Sequence, residues 1–281
     1  MSGRVVLEVA QWQGSGAATA GRLRSGAARL AELMPEGRRC TVALDSGVGS
    51  ARGGVRNADV LERHLRAVRE ALAEVPPGDT VVTVGGDCGV DLAPVETALS
   101  VFGDRLALVW FDAHADLNTP ESSPSGAFHG MVLRALIGDG PEGLRPVRSL
   151  SADRVVLAGA RSLDPGERDL VERRGIRHVG VEQLAEPGPL LAAVRATGAE
   201  AVYVHIDLDV LDPRVFPAVG TPEPGGLDVD GLLGAVRALT GEFTLAGIAL
   251  TEYERGEDTG QEEAVLRRIV DGLFKVTWRR A

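Results

Sequence analysis

Long apolar runs are absent from this sequence of 281 residues. No stretch approaches the roughly 18 consecutive apolar residues that a membrane-spanning helix needs, so we expect no membrane segment. The first ten residues also lack the long apolar core of a signal peptide. These absences, together with the scarcity of cysteine, favour a cytoplasmic location.

Cysteine is scarce, and basic residues are outnumbered by acidic ones. Cys40 and Cys88 are the only cysteines, too few for a disulfide framework. The 30 Lys and Arg residues are outnumbered by 40 Asp and Glu residues, which gives a formal net charge of −10. A nucleic-acid partner is therefore not expected, because such proteins usually carry a net basic face. The length suffices to bury a core without disulfides, and we interpret residues 1–281 as a single domain.

Short apolar runs recur along the chain and alternate with helical patterns. Runs such as 106–111 and 201–206 are apolar at successive positions, which is typical of strands covered on both faces of a parallel sheet. Asn57 is the expected N-cap of a helix in which apolar residues recur at three- and four-residue steps. Eight strands alternating with helices predict an α/β fold with helices on both faces of one sheet. The predicted strands are 4–9, 40–44, 80–84, 106–111, 154–158, 177–181, 201–207 and 244–250. Besides the helix that follows Asn57, the predicted helices are 17–33, 90–101, 129–137, 165–174, 188–196, 230–239 and 261–274.

Two clusters of acidic residues directly follow apolar strands. Asp112, His114 and Asp116 alternate after one strand and would project to one side of an extended chain. Asp207 and Asp209 follow another strand in the same way. Ligands bind outside the carboxyl ends of parallel strands, and unpaired carboxylates buried there are costly. A capped strand end explains either cluster alone, but the two together predict bound cations.

The types of these residues indicate the metal. Carboxylates and imidazole suit hard or borderline divalent ions such as Mn²⁺. Five ligands from two strands, two of them able to bridge, suit a pair of ions about 3.5–4 Å apart that share a hydroxide nucleophile.

Four further features are weaker when taken alone. The sequence Gly-Gly-Asp-Cys at 85–88 ends a strand, and its cysteine alone is typical of a small buried hydrophobe. His129 lies at a loop-to-helix junction, where a structural role and a proton-transfer role both stay open. Glu252 ends another apolar strand, where a carboxylate suits a cationic substrate. His205 faces the same side as Asp207 and is a candidate for a role behind the metal ligands.

Taken together, the motifs resemble those of the ureohydrolase family, which includes arginase, agmatinase and formimidoylglutamase. The resemblance extends over nearly the whole chain. The matching motifs are GGDC (85–88) in place of the family's GGDH, DAHAD (112–116), SGAFHG (125–130), HIDLDVLDP (205–213) and LTEY (250–253).

The resemblance implies a three-layer α/β/α fold around an eight-stranded, mostly parallel sheet. It also implies a binuclear metal centre, usually Mn²⁺, and a small guanidino substrate. His129 matches the proton shuttle of arginase, Glu252 matches the carboxylate that receives the guanidinium, and Asp116 would carry a proton to the leaving amine. Family members often form trimers or hexamers, so a homo-oligomer is expected. The matching metal ligands are Asp112, His114, Asp116, Asp207 and Asp209; the residues that match positions near the substrate's α-carboxylate, its waters or its α-amino group are Asn118, Ser123, Ser125 and Asp164.

Three positions depart from the arginase pattern. Cys88 stands where the family has its sixth ligand, a histidine, and we predict that its thiolate binds the metal there. Ala127 replaces an Asn, and Ser162 replaces a common Asp. A cysteine at this ligand position resembles the branch that converts N-hydroxy-L-arginine to hydroxyurea and L-ornithine in D-cycloserine-type antibiotic biosynthesis.

The predicted function is therefore a metal-dependent amidinohydrolase acting on an arginine-like amino acid, with hydroxyarginine the expected substrate. Arginase, agmatinase and formimidoylglutamase activities stay open as alternatives. Two other classes also stay open: a metal-free enzyme that uses Cys88 as its nucleophile, and a metal-binding pseudoenzyme that acts through protein partners.

Overall fold

A computed structural model describes residues 3–256 and 260–274 of the chain. Within these residues, eight strands form one sheet in the order β2-β1-β3-β8-β7-β4-β5-β6, and every neighbouring pair is parallel. The strands are β1 (Arg4–Val9), β2 (Arg38–Thr41), β3 (Thr80–Gly85), β4 (Leu106–Phe111), β5 (Val155–Ala158), β6 (Arg177–Val179), β7 (Ala201–Asp207) and β8 (Thr244–Thr251). The helices are α1 (Arg22–Leu33), α2 (Ala58–Ala73), α3 (Leu92–Phe102), the single turn α4 (Val132–Arg134), α5 (Pro165–Arg174), α6 (Pro187–Arg195), α7 (Val229–Glu242) and α8 (Gly260–Phe274).

Helices cover both faces of the sheet. One hydrophobic cluster joins α1, α6, α7 and α8 to one face, and a second joins α2, α3, α4 and α5 to the other. Successive residues of β4 pack into opposite clusters, as Leu108 and Val109 do, and the whole strand is buried. Burial on both faces explains its continuous apolar run. The predicted three-layer α/β/α fold is confirmed.

The strand order places the chemistry at one point on the sheet. β3, β8, β7 and β4 are consecutive neighbours, and each ends in one of the polar motifs. Because all strands are parallel, the four carboxyl ends open on the same edge. The described residues include no helix with the length and apolarity needed to cross a bilayer.

Several local predictions were wrong. The edge strand β2 covers Arg38–Thr41 rather than 40–44, because an edge strand exposes polar residues and lacks the apolar signature. Asn57 precedes α2 in a left-handed conformation but does not cap it; its side chain instead accepts from the Gly49 amide and donates to the Gln13 carbonyl. In place of the predicted helix 129–137, the chain forms a 3-10 turn (His129–Met131), the single turn α4 and a π-helical segment (Ala135–Asp139). Gly138 interrupts that last segment with a φ of 103°.

Candidate functional site

The backbone conformation at the strand ends directs the functional side chains toward the same region at the carboxyl edge of the sheet. Asp116 and Glu252 adopt positive φ angles of 52° and 64°, which are uncommon for residues other than glycine. The Glu252 amide donates to the Gly86 carbonyl at 2.7 Å, and the Asp116 carbonyl accepts from the Arg134 amide at 3.1 Å. These bonds stabilise two residues in an unfavourable backbone conformation, and such residues are common at functional sites.

The acidic residues of both predicted clusters meet at this edge. His114 Nδ1 lies 3.0 Å from Asp209 Oδ2 and 3.5 Å from Asp112 Oδ1. Cys88 Sγ lies 3.2 Å from Asp207 Oδ2, so it also joins the cluster. Donor atoms fall into three groups in which all atoms lie within 4.8 Å of one another. The groups are Cys88–Asp112–His205, Cys88–Asp207–Glu252 and Asp112–His114–Asp209.

Backbone amides fix the orientation of three carboxylates. The His114 amide donates to Asp112 at 2.6 Å, the Asp209 amide donates to Asp207 at 2.7 Å, and the Ala113 amide donates to Asp209 at 3.0 Å. Each bond occupies one carboxylate oxygen. Because a carboxylate has two oxygens and about four acceptor sites, each retains capacity for a metal ion.

The electrostatics of the cluster suit divalent cations. Burial, followed by the neighbouring acids, raises the pKa of Asp112 and raises that of Asp116, Asp207 and Cys88 well above the usual range. Burial opposes protonation of His114, yet its acidic neighbours raise its pKa to about 12. Oδ2 of Asp116 is buried without a hydrogen-bond partner. Excess negative charge, an orphaned oxygen and a set of oxygen, nitrogen and sulfur donors together fit a binuclear metal site.

A cleft with a volume of about 220 Å³ opens above this cluster. Asn118 Nδ2 donates to Asp164 Oδ2 at 2.8 Å on one wall. Ser123 and Ser125 line another wall with hydroxyl oxygens 3.4 Å apart. The structure thus brings all four predicted substrate residues to one cleft, and His114, Asp116, His129 and Asp207 line it too.

His129 and Glu252 form a hydrogen-bonded pair beside the cluster. His129 Nδ1 lies 3.1 Å from Glu252 Oε1, which also accepts from the Cys88 amide at 3.0 Å. The Gly16 amide donates to His129 Nε2 at 3.3 Å. Burial disfavours the charged imidazole, but the nearby Glu252 carboxylate outweighs it and raises the pKa of His129. The pair can therefore hold and release a proton close to the cleft.

Comparison with known proteins gives the same assignment. Residues 16–271 match the model of the arginase family. The arginase of Staphylococcus aureus is 33% identical over 236 residues, covering 80% of this chain and 77% of the relative. The chain belongs to the arginase family. It is accordingly a metal-dependent amidinohydrolase, as the sequence motifs predicted.

Solved structures of arginase-family proteins share the fold. The crystal structure of Entamoeba histolytica arginase in complex with L-ornithine matches 98% of this chain and 100% of its own, with a TM-score of 0.84 and 22% identity. Proclavaminate amidino hydrolase from Streptomyces clavuligerus matches 98% of this chain and 93% of its own, with a TM-score of 0.69 and 22% identity. These likenesses confirm the fold.

Glu223 is a polar residue of this arginase-family site that the sequence interpretation missed. Its Oε1 accepts from the Ser162 hydroxyl at 3.1 Å and lies 3.8 Å from His114 Nε2. A carboxylate therefore stands beside Ser162, the position where arginases commonly carry Asp. Glu223 lies in an irregular Gly- and Pro-rich loop, which carries no periodic signal that would mark it.

Arg161 is a second residue with a role that the sequence did not reveal. Its guanidinium donates to the carbonyls of Asp209 at 2.8 Å, Glu223 at 2.7 Å and Pro224 at 3.0 Å. Arg161 thereby joins the segment that carries a candidate metal ligand to the loop that carries Glu223. All of these acceptors are backbone atoms distant in sequence, so no local motif predicts the contact.

Proposed function

We propose that this arginase-family enzyme hydrolyses the guanidino C–N bond of an arginine-like α-amino acid, and that N-hydroxy-L-arginine is its preferred substrate. The products are hydroxyurea and L-ornithine. The observation that carries the proposal is the arrangement of polar groups in the cleft. The buried cluster of candidate metal ligands lies at its base, and Asn118 and Asp164, which can bind the polar groups of an amino acid, lie on its wall.

Two divalent ions, most favourably Mn²⁺, complete the site in this proposal. The residues that would hold them are Cys88, Asp112, His114, Asp116, Asp207 and Asp209, which supply the oxygen, nitrogen and sulfur donors described above. When bound, such a pair lowers the pKa of a water molecule and so supplies the nucleophile near neutral pH.

The chain's own residues then orient the substrate and move protons. Glu252 binds the guanidinium and holds its carbon over the metal cluster, which converts the attack into an oriented, effectively unimolecular step. Asp116, one of the residues that would hold the metal ions, carries a proton of the attacking water toward the leaving amine. His129, which lines the cleft, donates a proton to that amine as it leaves.

Two positions in the sequence, Cys88 and Ala127, favour a hydroxylated substrate. A thiolate at Cys88 brings negative charge that weakens the Lewis acidity of the metal pair, and N-hydroxylation lowers the basicity of the guanidine, so a weaker centre suffices. Ala127 lacks the amide with which arginases contact the α-carboxylate, which weakens recognition of plain arginine. Plain arginase activity is the second candidate, since the similar relatives are named arginases.

A substrate panel tests the proposal. We expect kcat/KM to be at least about 10-fold higher for N-hydroxy-L-arginine than for L-arginine, and roughly 100-fold higher than for agmatine, because polar groups that pair with substrate reject an analogue that lacks the partner. Release of hydroxyurea or urea is the measurement. Agmatine as the best of the three would contradict the assignment of Asn118, Ser125 and Asp164 to amino-acid recognition.

The same panel separates the other two classes. Full activity after exhaustive chelation would favour a cysteine nucleophile; burial of Cys88 among carboxylates, which raises its pKa, argues against that chemistry. Release of no product from any guanidino compound by metal-loaded protein would favour a pseudoenzyme.

Protection of Cys88 by metal is a further expected result. An adjacent divalent ion both lowers the pKa of a thiol and occupies its sulfur. Burial and the raised pKa of the thiol make Cys88 slow to react even in the metal-stripped protein, and the metal-loaded protein should react more slowly still. Mass spectrometry of the labelled peptides gives the rate for each cysteine. Cys40, which is partly exposed, is the internal control and should react equally in both forms. Equal reactivity of Cys88 in the two forms would show that it is no ligand.

A further inference from the structure

A second imidazole lies directly behind Cys88. His205 is fully buried in β7, and its Nε2 is 3.3 Å from Cys88 Sγ. Nε2 also lies 3.4 Å from the Thr251 hydroxyl oxygen. His205 has no part in the proposed proton transfers or in substrate binding. A buried imidazole with only long contacts on one nitrogen has capacity for a further partner on that nitrogen.

The opposite side of the ring is held firmly. His205 Nδ1 lies 2.8 Å from Asp91 Oδ2, and the other Asp91 oxygen accepts from the Tyr203 hydroxyl. The ring stacks on Trp110 with centroids 3.4 Å apart and planes 6° from parallel. A histidine that bonds a carboxylate through one nitrogen and presents the other to a cluster of donors is the usual arrangement of a metal-ligating histidine, since the carboxylate fixes the tautomer and the ring orientation.

The donors around His205 are compatible with a shared ion. One donor atom each from Cys88, Asp112 and His205 lies within 4.8 Å of the other two. Asp112 is also held from the His205 side, because Trp110 Nε1 donates to Asp112 Oδ2 at 3.0 Å. Trp110 thus orients both the Asp112 carboxylate, by a hydrogen bond, and the His205 ring, by stacking.

We propose that His205 Nε2 is a ligand of the metal bound at Cys88. In this arrangement β7 supplies the imidazole nitrogen that the family pattern places at position 88, and the short thiol leaves room for the ring. The ion at this position is then held by sulfur, nitrogen and oxygen donors. The inference rests on the proposed binuclear centre and adds a ligand to it.

The first test needs no variant. X-ray absorption at the metal edge of the loaded holoenzyme resolves the outer-shell scattering of imidazole rings and counts them. Two imidazoles for two ions, from His114 and His205, are expected. Two ions with one imidazole would overturn the assignment of His205 and leave the centre intact. Failure of the protein to bind two ions would overturn the centre itself, so the two failures are distinguishable.

Variants give an independent measurement through metal affinity. His205→Phe keeps a ring against Trp110 but removes Nε2. It should lower the affinity for the more weakly bound metal ion by more than the roughly 10–100-fold typical of removing a residue that hydrogen-bonds a metal ligand. Asp91→Asn should fall within that range. Thr240→Val, an equally conservative change of a buried threonine that bonds only carbonyls of its own helix α7, is the matched control and should leave affinity unchanged. An effect of His205→Phe no larger than that of Asp91→Asn would contradict direct ligation. Circular dichroism checks folding, and the wild-type spectrum decides the question if a variant does not fold.

Discussion

Asp207→Asn is expected to abolish catalysis and to release at least one of the two metal ions. Asp207 Oδ2 faces the Cys88 sulfur, while Oδ1 accepts from the Asp209 amide. An amide in place of the carboxylate removes a negative charge that stabilises the cations. It is also a poorer metal ligand than the carboxylate. Metal ions contribute several kcal/mol to such reactions, and each factor of ten corresponds to about 1.4 kcal/mol, so kcat/KM should fall at least about 1000-fold.

Metal analysis by mass spectrometry and a product-release assay measure the two effects. Asp228→Asn is the matched control, because Asp228 caps α7 and Asn caps a helix equally well. That variant should retain two ions and full activity. Two tightly bound ions in Asp207→Asn would contradict the ligand assignment.

Glu252→Gln is expected to lower kcat/KM by about 100–1000-fold, the usual cost of removing one preorganised electrostatic contact. The glutamine oxygen can still accept from the Cys88 amide, so the local fold should persist. A neutral amide cannot form an ion pair with a guanidinium, however, and the adjacent His129 also loses its charged partner. Unlike Asp207→Asn, this variant should retain both metal ions.

The metal content distinguishes two roles for Glu252. One of its oxygens lies close to donors of Cys88 and Asp207. Loss of an ion in Glu252→Gln would mean that Glu252 is a metal ligand rather than the group that receives the substrate. Glu200→Gln is the control, because Glu200 pairs with Arg105 on the surface and directly precedes β7 at the opposite end of the strand. Its activity should equal that of the wild type.

Much of the architecture was predictable because a strand that is buried on both faces is apolar over its whole length. β4 is apolar at every position before its acidic motif, and β7 is apolar there except at His205, so the location of both strands and their parallel direction followed from the sequence. The alternation of Asp112, His114 and Asp116 also marked them as a ligand set. The edge strand β2 was misplaced by two residues because only one of its sides pairs with the sheet, and Arg38 and Arg39 there remain exposed.

The order of the strands and the supports of the site were not predictable in the same way. β8 is inserted between β3 and β7, although more than 150 residues separate β3 from β8 along the chain. The contacts of Glu223 and the Asp91–His205 pair depend on that order, because each joins segments distant in sequence. A single sequence contains the residue types for these contacts but no signal for their partners.

The clamp formed by Arg161 has a consequence for how this site can change over evolutionary time. Arg161 binds the carbonyls of Asp209, Glu223 and Pro224, and none of their side chains. Substitutions at position 223 therefore leave the anchor of the loop unaltered, while the side chain that faces His114 is exchanged. The rim of the cleft can diversify without a matching loss at the metal cluster, so selection for a new substrate can act on one residue at a time.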